Sequence, residues 1–170
     1  MELKHLAALT AALASVGGGS AMASGVVRPV AASGRTELTE FLLNQPVSVA
    51  ILTHEVPIKP SEPPRIRTDS CTYSRVPCAV VDGVDLSVRG RAVAVPRSVF
   101  ADLADLNTAR LEPAGHGRYR LVLAGGDAAE SYRAAIVFDD RRVLTRAITA
   151  TEAGMVEERT VYSDVSKAFR

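Results

Sequence analysis

Beyond residue 23 the chain carries two imidazoles, His54 and His116, and its close carboxylate pairs include Asp127 with Glu130, beside Gly125-Gly126, and Asp139 with Asp140. A carboxylate within reach of an imidazole is the minimum needed for general acid–base hydrolysis or elimination, and paired carboxylates can also hold Ca²⁺. The flanking residues narrow these options. His54-Glu55 has no second His four positions on, so there is no zincin helix. No G-x-S-x-G is present, which removes the nucleophile elbow of the α/β-hydrolases. The Gly125-Gly126-Asp127 cluster matches neither an EF-hand loop, nor G-x-G-x-x-G, nor a P-loop. Gly and Asp are what hairpin turns require, so both acidic groups read as turns. His116, between Gly115 and Gly117, reads as a turn residue, and His54, at a strand end, as a half-buried packing or hydrogen-bonding residue. No catalytic residue, metal-ligand set or cofactor fingerprint is assigned.

Cys71 and Cys78 are the only cysteines. In an oxidising compartment they are expected to pair, closing a short loop that stabilises by about 2–3 kcal/mol in the chain-entropy account. Their spacing is not the C-x-x-C of redox catalysts. The loop would display Tyr73 and Arg75 next to a proline-rich arm, residues 57–69, that carries Arg65 and Arg67. Tyr and Arg are the types most often energetically important at interfaces, so these four form the expected partner-binding set. Arginine dominates the bases, 17 against three lysines, and its planar fork suits carboxylates and phosphates.

The compartment is read from the start of the chain. Lys4 and His5 precede an apolar run over residues 6–16 and a small-residue A-x-A signal at Ala21-Met22-Ala23. This is the pattern of a cleaved secretory signal peptide, and the apolar run is shorter than the roughly 20 residues a membrane span needs. No later stretch reaches spanning length. The expected location is periplasmic or secreted. The net charge is +1, which argues against general nucleic-acid binding. Residues 58–97 hold seven bases and four acids, while residues 98–170 hold ten and eleven. The first imbalance would give at most a weakly anion-attracting face.

The elements that must hold these residues follow from periodicity. Residues 24–35 read as a flexible lead, and residues 36–170 as one domain. Leu38, Phe41 and Leu42 predict a short helix over 36–44, followed by a strand over 47–53. Alternation of Val84, Leu86 and Val88, then Arg89-Gly90, predicts a hairpin into Ala92-Val93-Ala94-Val95. Val99, Phe100, Leu103 and Leu106 predict a helix from Ser98 to about 106. Strands are predicted over 118–124, 131–138, 142–149 and 156–163, with Arg118 and Arg120 facing outward. Links this short allow only antiparallel hairpins. The predicted class is α+β: a mainly antiparallel sheet, ending in a meander, with one or two short helices packed on it.

The leading functional expectation is a non-enzymatic binding or inhibitor-type domain that recognises a protein or an envelope component. The second is a small hydrolase or lyase in which Asp127 or Glu130 meets His54 or His116. The third is an envelope-assembly factor with a groove or sheet edge open to strand addition.

Overall fold

The computed structural model describes residues 25–57, 71–72 and 75–163. Ten strands run β1 Arg28–Pro29, β2 Gly34–Leu42, β3 Gln45–Val56, β4 Cys78–Val88, β5 Arg91–Val93, β6 Leu106–Gly115, β7 Arg118–Gly125, β8 Tyr132–Phe138, β9 Val143–Ala150 and β10 Val156–Val161. They form a six-stranded sheet, β1-β6-β7-β8-β9-β10, and a four-stranded sheet, β2-β3-β4-β5. Every strand pairing is antiparallel.

Alternation along the strands explains the two layers. Val47, Val49 and Ile51 on β3 and Val84, Leu86 and Val88 on β4 turn to one side. Tyr119, Leu121 and Leu123 on β7 meet them with Ala134, Ile136 and Phe138 on β8, and all belong to one buried cluster. Burying side chains of this size contributes about 1.5–3 kcal/mol each. Two isolated bridges join the layers, Val80 to Ala104 and Ala94 to Arg142.

The structure is mainly β rather than α+β: among the described residues there is no α-helix, only two 3-10 turns, Arg97–Val99 and Ala128–Glu130. The helix predicted over 36–44 is strand β2, paired with β3 from Gly34↔Thr53 to Leu42↔Gln45. Leu38 and Leu42 suit either period, but Phe41, which completed the helical stripe, is exposed. A tight turn at Leu43 and Asn44, both at positive φ, returns the chain onto β3. Long-range pairing therefore overrides the local pattern.

The helix predicted from Ser98 shrinks to the turn Arg97–Val99, and the chain enters β6 at Leu106. Asp105 shows why. It is fully buried at φ 50°, and its carboxylate accepts the backbone N–H groups of Thr72 and Ala79. A side chain bonded to distant backbone competes with helix formation. Strand β6 has no counterpart in the sequence reading, because Glu112, Pro113 and two register shifts hide its alternation. The four C-terminal strands and the Arg89-Gly90 turn fall where their patterns place them.

Candidate anion-binding surface

Cys71 and Cys78 are disulfide-bonded, with Cα atoms 5.6 Å apart. The closed loop is fastened to the sheet junction. Thr72 N–H reaches Asp105 Oδ2 at 2.8 Å, and Ala79 N–H reaches Oδ1 at 2.9 Å. Arg75 Nη1 donates to the Asp105 carbonyl at 2.9 Å and to Asn107 Oδ1 at 2.8 Å. Arg75 thus holds the loop against β6. Arg65, Arg67 and Tyr73, the rest of the expected partner-binding set, lie outside the described residues, as does all of the arm but Pro57.

The two imidazoles belong to different sheets, His54 to β3 and His116 to the β6–β7 turn. His54 is exposed rather than half-buried, and its Nδ1 lies 2.8 Å from both carboxylate oxygens of Asp82, a residue the sequence reading did not single out. His116 occupies a turn at φ 51° between β6 and β7. Asp127 follows the far end of the eight-residue strand β7, about 26 Å away at the usual strand rise. Asp127 and Glu130 both have interaction partners.

Strand pairing gathers a different set. The row Arg110–Val122–Ala135–Ala147–Arg159 crosses β6 to β10 on the outward side of the six-stranded sheet. At about 4.8 Å per strand, its two arginines stand about 19 Å apart. Arg120, paired with Val137, and Arg133, paired with Ala124, flank the row on opposite sides. These four arginines, with the buried Arg146, line one trough of about 330 Å³ floored by Val122, Ala135 and Ala147.

The charge of this trough is lopsided. Glu112 is the one acid lining it, and it bridges Arg110 at 2.8 Å and Arg120 at 2.9 Å. One carboxylate between two guanidiniums leaves a net positive charge. Arg110 Nε is buried and has no hydrogen-bond partner among the described residues. Neither Arg133 nor Arg159 has an ion-pair partner among them. A buried, unmatched donor such as Arg110 Nε attracts an acceptor, and exposed guanidinium forks such as those of Arg133 and Arg159 favour carboxylate or phosphate.

The balancing acids lie on the opposite side of the sheet. Asp102, Glu130, Glu157 and Glu158 line a second cleft of about 580 Å³ together with Tyr132 and Arg146. Arg146 is almost fully buried, with Nη2 2.5 Å from Asp102 Oδ2 and Nη1 2.7 Å from Glu158 Oε1. The Glu158 carboxyl is held below its ordinary range, first by the hydroxyl of Thr160, then by the charge and hydrogen bond of Arg146, against the opposing pull of burial. Burial pushes the Tyr132 phenol up, and its O–H donates to the Ala104 carbonyl at 2.6 Å.

Sequence reasoning identified Arg118 and Arg120 as outward but not the convergence of Arg120 with Arg110, Arg133 and Arg159. The usable signal was strand parity: on β7 and β8, each arginine sits one position off the buried residues. No helix among the described residues is long and apolar enough to cross a membrane. No family model, curated protein or solved structure matches this chain.

Proposed function

We propose that this chain is a periplasmic or secreted binding domain that captures an anionic envelope component on the outward face of its six-stranded sheet. The observation that carries this reading is the ring of Arg110, Arg120, Arg133 and Arg159 around a small apolar floor, with Glu112 as the one acid among them. The disulfide and the leader-like first 23 residues support the compartment. The trough offers donors and no activated nucleophile, which suits capture rather than turnover. The arm and disulfide loop are an additional contact through Arg65, Arg67 and Tyr73, while Arg75 is engaged within the fold.

The test uses dextran sulfate as a soluble polyanion and the mature chain as the binder. Replacing Arg133 and Arg159 together by Ala should weaken binding by about tenfold or more, since hydrogen bonds to charged groups contribute about 1.5–3 kcal/mol each. The affinity of the parent chain should fall steeply with salt. Equal affinity of parent and double variant would remove the face from the account.

A further inference from the structure

Three of the eight exposed large hydrophobic residues among those described fall on one short segment: Met155, Val156 and Val161, at 66%, 54% and 70% exposure. That segment is β10, an edge strand among the described residues, and the residue before it. Val156 pairs with Thr149, Arg159 with Ala147 and Val161 with Thr145. Ala147 and Thr145 line the arginine trough, which puts Arg159 and Val161 on that outward side. Thr149 in turn pairs with Arg133 on β8, so Val156 and Arg133 share a row with Thr149 between them. Along the β10 border of the basic face, then, Arg159 stands between the exposed aliphatic side chains of Val156 and Val161, and neither it nor Arg133, two strands in, has an ion-pair partner among the described residues.

The acids of β10 are directed elsewhere. Arg146 holds Glu158 on the opposite side of the sheet at 2.7 Å, and Glu157 lines the cleft there. Glu152, in the turn before Met155, is the nearest opposing charge in that turn.

Resting on the anion-binding reading, we infer that the anion is the phosphate layer of an anionic bilayer, met by the β10 border of the face. Met155, Val156 and Val161 enter the acyl boundary while Arg133 and Arg159 remain at headgroup level. A soluble polyanion would use the arginines and leave the three aliphatic side chains in water, whereas a bilayer surface uses both. Interfacial binding grows with buried apolar area plus attraction to anionic lipid. Arginine stems can lie along apolar material while their charged ends stay at the phosphates.

The experiment is cosedimentation of the mature chain with vesicles of phosphatidylglycerol and phosphatidylcholine in equal parts, beside vesicles of phosphatidylcholine alone and beside dextran sulfate. The chain should pellet with the mixed vesicles and stay in solution with the neutral ones. Replacing Arg133 and Arg159 by Ala should lower partitioning about tenfold or more, and replacing them by Lys should largely preserve it. Replacing Met155, Val156 and Val161 by Ser should lower vesicle partitioning severalfold and leave dextran sulfate affinity unchanged. Native circular dichroism of each variant separates lost binding from lost fold. Tight dextran sulfate binding without vesicle binding overturns this inference and leaves the anion-binding reading standing. Failure to bind either ligand overturns both. Equal binding to neutral vesicles, or indifference to the Ser substitutions, also overturns the bilayer assignment.

Discussion

The outward faces of the two sheets are built alike and differ in how their charges are matched. On the four-stranded sheet, Arg35 contacts Glu37 at 2.6 Å and Asp85 at 3.5 Å. Thr39 bonds Ser48 across the strands at 3.1 Å. Arg35 is the sole base lining that face's trough, with Glu37, Asp82 and Asp85 around it. On the six-stranded sheet, Glu112 is the one acid among Arg110, Arg120, Arg133 and Arg159, and it bridges the first two. The difference shows that a chain of net charge +1 can carry a strongly basic surface, because strand parity sorts charges that are balanced along the sequence. The lining of the first face carries an excess of acids and that of the second an excess of bases.

Reversing charge on each face should break this symmetry most sharply. The double substitution Arg133→Glu and Arg159→Glu should lower dextran sulfate affinity by a hundredfold or more, given about 1.5–3 kcal/mol per charged hydrogen bond. Arg35→Glu, on the other face, should leave it unchanged. Titration by isothermal calorimetry reads both, and a comparable loss from Arg35→Glu would mean that net charge rather than location governs binding.

A second prediction separates fold from site. Asp105→Ala leaves two buried backbone N–H groups without their acceptor, at about 1–3 kcal/mol each, so the urea unfolding midpoint should fall clearly. Below that midpoint, binding by the arginine face should persist, because Asp105 belongs to the loop junction. Loss of binding with intact fold would tie the two regions together.

Glu112→Gln acts in the opposite sense. It frees Arg110 and Arg120 from their shared carboxylate and should raise dextran sulfate affinity about threefold, the size of one partly screened charge. An unchanged affinity would show that these two arginines stand outside the binding surface.

The smallest expected effect is a pH dependence at β10. Folding lowers the Glu158 carboxyl from its ordinary 4.5, so this stabilisation is complete above that value and is lost as pH falls through the lower, folded one. The side chain is nearly half exposed, which keeps the effect small. Melting temperature measured against pH should decline less in Glu158→Gln than in the parent chain over that acidic range. Identical slopes would remove the Arg146–Glu158 pair as a determinant of β10 docking.

Legibility followed locality. Strands β7 and β8 were readable because buried residues alternate there, and β9 and β10 because Gly or Asp marks each turn. The disulfide was readable from two cysteines and an expected compartment. Strand β2 was missed because Leu38 and Leu42 fit two periods and only the partner strand decides between them. The Ser98 helix failed because Asp105 bonds to Thr72, 33 residues away, a contact no local window contains. The candidate site suffered from the same distance. Its arginines come from β6, β7, β8 and β10, and the register shift between Val156 and Glu158 changes which β10 residues face outward.

The central claim is that the outward face of the six-stranded sheet is the binding surface. Amide shift mapping of the ¹⁵N-labelled chain during dextran sulfate titration tests it most directly. The account predicts shifts concentrated on β8, β9 and β10 around Arg133, Ala147 and Arg159, with β2 and β3 silent. Shifts centred on Arg35 and Asp85, or on the loop around Arg75, with Arg133 and Arg159 silent would contradict it.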